Sequence, residues 1–137
     1  MKNAFELKVD FPVNPSTVYD AWLDSKEHSK MTGGEASCSN KEGGEFSAWD
    51  GYITGKNIQL NQHKKIIQSW RTSDFKNNDE DSELIIEIQE TDEGCELLLI
   101  HNNIPEGQPD YKQGWIDHYF DPMKMYFEAI KTNPNNK

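Results

Sequence analysis

The sequence predicts an α+β fold: a curved antiparallel sheet wrapped around one long C-terminal helix, with two short helices after the first strand. Three observations carry this. Near the C-terminus, Trp115, Tyr119, Met123, Tyr126 and Ile130 recur at steps of three and four, with Ile116, Phe120, Met123 and Phe127 as a second row beside them. Most of the chain between residues 35 and 104 alternates with period two instead. Short turn signals separate the alternating segments, so neighbouring strands run antiparallel with one packed face and one wet face. A helix of about 20 residues spans about 30 Å, and so wide an apolar face needs a large cover. A long helix on a curved sheet commonly encloses a cavity.

In order along the chain, Phe5, Leu7, Val9 and Phe11 share one face of a strand over residues 3–11, which Pro12 ends. Asn14-Pro15 starts a helix, because Asn caps well and Pro at the first helical position loses nothing by lacking an N–H. Val18, Ala21 and Trp22 form its apolar face. Asp24 with Glu27 three residues on reads as a capping box for a second helix, stopped by Gly33-Gly34. Residues 35–39 read as a weak strand and residues 45–49 as a firmer one, with Asp50-Gly51 as the hairpin turn that follows. Gly55, inside the strand at 52–60, suggests a bulge or a close backbone approach. Further strands are expected at 64–72, 83–90 and 95–104. Pro105-Glu-Gly-Gln-Pro109 leads into the long helix, where Pro122 predicts a kink. Residues 1–131 are expected to form one domain and residues 132–137 a disordered tail.

Composition narrows function. The 137 residues carry a net charge of −10 and a single Arg, Arg71, so nucleic-acid and anionic-membrane binding are disfavoured. No apolar run approaches the ~20 residues of a membrane span, and the first residues alternate like a strand rather than forming a signal core. A cytoplasmic location is the expectation. Cys38 and Cys95 read as free thiols acting as small apolar groups. The four histidines are scattered, and His118 between Asp117 and Asp121 reads as a solvated helix face, so no metal site is expected. Glu35, Glu42 and Glu45 read as exposed edge charges. No phosphate-binding loop, dinucleotide fingerprint or nucleophile elbow is present, and no cofactor is expected.

Six short segments, in order, resemble one family: Val18-Tyr-Asp-Ala-Trp22, Gly43-Gly-Glu-Phe46, Asp50-Gly-Tyr-Ile-Thr-Gly55, Ile67-Gln-Ser-Trp-Arg71, His101 with Ile104-Pro105, and Gly114-Trp-Ile-Asp-His-Tyr-Phe-Asp-Pro-Met-Lys124. They are similar to the activator of heat-shock protein 90 ATPase homologue 1-like family, within the START/birch-pollen-allergen (SRPBCC) superfamily. The resemblance implies a helix-grip fold with about seven strands and a deep apolar pocket under the last helix. In the co-chaperones that name the family this unit is the C-terminal domain, and the present chain begins at its first strand.

The resemblance also places Leu97, Leu99 and His101 inward on their strand, with His101 near the cavity end. A neutral imidazole both donates and accepts, so His101 suits ligand orientation or proton transfer, or else pairs with Tyr119 or a backbone carbonyl. Gln68 and Trp70 share parity with Ile66, so an inward face makes Trp70 a pocket wall and Gln68 a polar anchor. Trp115 and Tyr119, one helical turn apart, are expected on the pocket floor with Met123 beyond them. Trp22 reads as core, and Trp49 has no special context.

The resulting expectation is a domain that binds an apolar or aromatic small molecule between sheet and helix through Gln68, Trp70, Leu97, Leu99, His101, Trp115, Tyr119 and Met123. A co-chaperone module that binds heat-shock protein 90 and modulates its ATPase is the alternative. A cyclase- or hydrolase-like enzyme using His101 is the third, resting on fold analogy.

Overall fold

A computed structural model describes residues 3–132. Six strands form one antiparallel sheet: β1 (Asn3–Phe11), β2 (Glu45–Ala48), β3 (Ile53–Asn61), β4 (Lys65–Thr72), β5 (Ser82–Thr91) and β6 (Gly94–Ile104). Their spatial order is β1-β6-β5-β4-β3-β2. The chain therefore leaves β1 at one edge and re-enters at β2 on the other. Helices α1 (Pro15–Leu23) and α2 (Ser25–Thr32) make that crossing. The tail expected at 132–137 lies almost wholly outside the described residues.

The caps follow from the sequence. The Asn14 side chain accepts the Thr17 amide at 3.2 Å, and Pro15 opens α1. Asp24 accepts the Glu27 amide at 2.9 Å, and Gly33 ends α2 at φ +88°. Glu27 does not reach back to complete the capping box; its carboxylate accepts the Tyr126 hydroxyl from the terminal helix instead. A local motif has become a tertiary tie.

Among the described residues the sheet has six strands, where about seven were expected. Residues 35–39 contribute only the bridge Ser37–Ser47. Asn57 explains why: its Nδ2 donates to the Ser39 and Lys41 carbonyls at 2.8 and 3.0 Å, and its own carbonyl accepts the Gly43 amide at 2.7 Å. Those bonds hold residues 39–43 against β3, so pairing of the preceding stretch with β2 stops at that bridge.

The period-two pattern sorts the faces. Ile66, Gln68, Trp70 and Thr72 on β4, Leu84, Ile86 and Ile88 on β5, and Leu97, Leu99 and His101 on β6 are buried. The register stacks them into rows, with Ile66 opposite Ile86, Ile86 opposite Leu99, and Leu84 opposite His101. Each completely enclosed Leu or Ile contributes ~2 kcal/mol of apolar burial. Gly55 meets a close backbone approach, while the β3 register shift falls between Asn57 and Gln59.

The terminal helix comprises α3 (Tyr111–Trp115), a π-helical turn (Ile116–Phe120) and α4 (Asp121–Thr132). Asp110 caps it by accepting the Gln113 amide at 3.1 Å. The widened turn, closed by the Asp121 N–H donating to the Ile116 carbonyl, ends just before Pro122. Pro122 has no N–H to give and its ring crowds the preceding turn, so widening that turn accommodates it. The extra residue also shifts the helical phase. Trp115, Tyr119, Phe120, Met123 and Phe127 are buried, whereas Tyr126 and Ile130 are only partly covered.

Candidate binding cleft

A cleft of about 250 Å³ opens between the β3–β4 end of the sheet and the start of the terminal helix. Ile53 and Trp70 form its sheet wall. Trp49 and Tyr52, from the turn joining β2 to β3, form one side. Tyr111, Gly114, Trp115, His118 and Tyr119 come from the helix at nearly one-turn spacing. The surface is aromatic almost throughout, and Gly114 leaves a gap on the helix face: a Cβ placed there meets no heavy atom within 4 Å.

Most polar groups around the cleft are committed. Tyr52 donates to Asp74 Oδ2 at 2.6 Å. Tyr111 donates to Gln108 Oε1 at 2.7 Å, so the Thr72 hydroxyl, 2.7 Å away, donates to Tyr111. Gln108 Nε2 reaches the Asp74 carbonyl at 3.1 Å. The loop before the helix is thereby pinned to the turn after β4. Burial, acting first, raises the Tyr52, Tyr111 and Tyr119 hydroxyls above their ordinary range, so all are neutral donors.

His101 lies behind this wall in a chain whose directions are determined. Trp115 Nε1–H donates to His101 Nδ1 at 3.1 Å, because an indole can only donate. The Ser82 hydroxyl donates to the Trp70 carbonyl at 2.6 Å, so it accepts from His101 Nε2–H at 2.8 Å. Both ring nitrogens are used. The side chain is fully enclosed, with the Trp70 ring centroid 4.5 Å away and Phe5 at 5.5 Å. Burial holds the imidazole at about 3, against an ordinary 6.5. Its partners are thus Ser82 and Trp115, not Tyr119 or a carbonyl, and it has no nitrogen free for proton transfer.

Of the eight residues expected to line a pocket, Trp70, Trp115 and Tyr119 border the cleft. Gln68, Leu97, Leu99, His101 and Met123 face inward but do not border it; all five are buried. The reason is aromatic bulk. Trp22 stacks on Trp115 at 6.1 Å and lies 5.2 Å from Tyr119, and Trp70 lies 5.7 Å from Trp115. These rings occupy the space a deep pocket would need. Gln68 serves as a strut: Trp22 Nε1 donates to its oxygen at 3.4 Å, and its nitrogen donates to Asn57 Oδ1 at 2.9 Å.

Two residues gain roles the sequence did not suggest. Trp49 sits at φ +53° in the Trp49-Asp50-Gly51 turn, a conformation rarely adopted by a bulky side chain. Its Nε1 is the one buried side-chain nitrogen or oxygen without a hydrogen-bond partner among the described residues. His118 is exposed, yet its ring packs edge-on against Trp49 at 5.6 Å. Asp50-Gly51 signalled the turn, but nothing local to Trp49 signalled where its ring would go.

A second, open groove of about 920 Å³ lies between α1–α2 and the far end of the terminal helix. Its floor includes Leu23, Phe127 and Ile130, and Asp20, Asp24, Glu27 and Glu42 line it together with one lysine, Lys26. Among the described residues no group of three metal-ligating side chains is assembled, and no helix is long and apolar enough to cross a membrane. Cys38 and Cys95 are free, and burial pushes both thiols up to about 11.

Comparison with known proteins places this architecture. The family model described as Activator of Hsp90 ATPase homolog 1-like protein matches residues 12–128. The Activator of 90 kDa heat shock protein ATPase homolog of Dictyostelium discoideum is 26% identical over 123 residues, covering 89% of this chain and 32% of the relative. The human homolog 1 is 27% identical over 124 residues, covering 88% of this chain and 36% of the relative. The chain therefore spans about a third of the length of the curated relatives it matches. The crystal structure of an HSP90 activator from Plasmodium falciparum superposes with a TM-score of 0.82 at 25% identity, covering 91% of this chain and 96% of that one. A protein from Chromobacterium violaceum shares the fold, with a TM-score of 0.75 at 21% identity and coverage of 92% and 98%. With the six-stranded grip on the terminal helix, these matches show that the chain belongs to the Activator of Hsp90 ATPase homolog 1-like family.

Proposed function

We propose that this chain is a non-enzymatic binding domain whose cleft takes a compact apolar or aromatic molecule between Trp49, Trp70, Trp115 and Tyr119. The observation that carries this reading is the aromatic cleft itself, open on Gly114. Ligand sites are concave, mostly apolar and equipped with a few polar groups, commonly at ~300–1,000 Å³. A cleft of about 250 Å³ suits a ligand of one or two rings rather than a lipid. The saturated state of His101 argues against an acid–base enzyme built on it.

The second reading is a module that binds heat-shock protein 90 and modulates its ATPase. The names of the curated relatives favour it, and the acidic groove beside α1 and α2 offers a surface for a basic partner. One substitution separates the readings. Gly114→Leu puts a side chain into the cleft without meeting an existing atom at Cβ, and is expected to weaken naphthalene binding at least tenfold in calorimetry with little change in melting temperature. Absence of naphthalene binding by the unaltered chain would overturn the first reading. If the chain changes the ATPase rate of the host's own heat-shock protein 90 homologue equally with and without Gly114→Leu, the second reading holds and the cleft is not its contact; no rate change removes that reading.

A further inference from the structure

We propose that the open groove between α1–α2 and the far end of the terminal helix docks a basic, amphipathic segment of a partner protein, with lysine or arginine side chains on its carboxylates and large apolar side chains on its floor. The proposal rests on the groove of the second reading above, though not on heat-shock protein 90 being the partner. Asp20, Asp24, Glu27 and Glu42 line the groove against one lysine, Lys26. Asp20, Asp24 and Glu42 are exposed and Glu27 is half-buried, so these charges are solvated in the free chain.

The fold holds each of the four carboxylates by one oxygen, which sets this groove apart from an ordinary acidic surface. Asp20 Oδ1 lies 3.3 Å from His63 Nε2. Asp24 Oδ2 accepts the Glu27 amide at 2.9 Å, and Glu42 Oε2 accepts the Leu60 amide at 2.9 Å. Glu27 Oε1 accepts the Tyr126 hydroxyl. A carboxylate accepts through both oxygens, so the second oxygen of each can still receive a cationic donor. Side chains already held in place lose little freedom when a partner docks, which favours binding. Tyr19 marks where two of them converge. Its hydroxyl is raised above the ordinary range by burial first, and then by the charges of Asp20 from α1 and Glu42 from the loop before β2.

The floor decides what else the occupant carries. Leu23 and Phe127 are buried beneath it, but Leu60, Tyr126 and Ile130 are only partly covered. A small cation would satisfy the carboxylates and leave that apolar floor wet. A peptide segment with aliphatic or aromatic side chains beside its lysines or arginines covers both. A second copy of this chain is a poor occupant, because it carries a net charge of −10 and a single arginine. A metal ion fits no better, since no group of three ligating side chains is assembled among the described residues.

The test titrates the full chain with two probes by calorimetry: a Leu/Lys peptide of about 14 residues with leucines at helical spacing, and an oligolysine of equal charge. The Leu/Lys peptide is expected to bind, and oligolysine to bind about tenfold more weakly. In two-dimensional NMR of the unaltered chain, the backbone amides of Thr17, Leu23, Leu60 and Ile130 should move with the Leu/Lys peptide, a readout that needs no variant. Asp20→Asn combined with Glu42→Gln removes two charges but keeps side-chain oxygens that can accept from His63 and Leu60; it should weaken the peptide about tenfold. Removing the same charge nearer the start of the terminal helix, by Asp117→Asn with Asp121→Asn, should change affinity less than about twofold. No binding, equal binding of oligolysine, equal losses from the two double substitutions, or shifts confined to the outer face of the sheet or to the aromatic cleft would overturn the proposal. Its failure is separable from that of the second reading. Peptide binding in the groove without any effect on the heat-shock protein 90 ATPase keeps the groove and removes that reading, whereas a rate change without peptide binding keeps that reading and removes the groove.

Discussion

Replacing Gly55 by alanine is expected to cost about 3 kcal/mol of stability, enough to leave a domain of this size marginal. Gly55 lies on β3 opposite Trp70 of β4. A Cβ there would stand 1.9 Å from the Ser69 carbonyl oxygen and 2.8 Å from the Phe46 ring. The Ser69 carbonyl belongs to the backbone of β4, which is paired on both sides, so it cannot yield without opening the sheet beside the cleft. Urea unfolding measures the effect. Gly114→Ala is the matched control: the added methyl meets nothing within 4 Å, and removing a helical glycine is expected to gain up to about 1 kcal/mol. If Gly55→Ala proved as stable as the unaltered chain, the close approach of β3 and β4 would be wrong.

The second large effect is acid sensitivity. The folded chain holds His101 at about 3, whereas an unfolded chain leaves it near 6.5. Between those values the unfolded state binds the proton first, so the stability from neutral His101 is present above about 6.5 and lost as pH falls toward about 3. The full effect is on the order of several kcal/mol. His28 is shifted in the same direction by burial and adds to the loss. Unfolding free energy measured from pH 7 to pH 5, above most carboxylate titration, should fall steadily. His101→Gln should be less stable at pH 7 by about 1–3 kcal/mol, because Trp115 and Ser82 lose their fitted partner. Its stability should also depend less steeply on pH. An unchanged slope would mean that His101 is not the group that titrates.

Much of the architecture was legible because it rests on local chemistry. Asn14-Pro15 and Asp24 start helices by satisfying free amides, and the code for that is a few residues long. Alternation in β4, β5 and β6 sorted the side chains into two faces without knowledge of the partner strands, since a strand on a packed sheet has only two; on β6, where both faces are apolar, the family resemblance was needed to choose between them. Residues 35–39 escaped because their fate depends on Asn57, a residue 18 positions from Ser39. Pro122 announced an irregularity, but its form as a widened turn ahead of the proline depends on which rings the helix must bury.

The site was legible only in part, and for the same reason. Parity grouped Gln68 with Trp70, and Leu97 and Leu99 with His101; the family resemblance turned the second set inward, and all are buried. Parity says nothing about how much room remains once Trp22 from α1, Trp70 from β4, and Trp115 and Tyr119 from the terminal helix meet. Those rings close the deep interior and leave a shallower cleft nearer the helix start. Trp49 was passed over because its environment comes from Tyr119 and His118, some 70 residues later in the chain.

The most direct measurement is the indole N–H region of a two-dimensional NMR spectrum during titration with naphthalene. The four tryptophans give four reporters at known places: Trp49, Trp70 and Trp115 line the cleft, and Trp22 lies behind it. Large, saturable shifts at Trp49, Trp70 and Trp115 with a smaller one at Trp22 are predicted. Unmoved indole signals, or shifts confined to residues such as Ile67 and Ile85 on the outer face of the sheet, would contradict binding in the cleft.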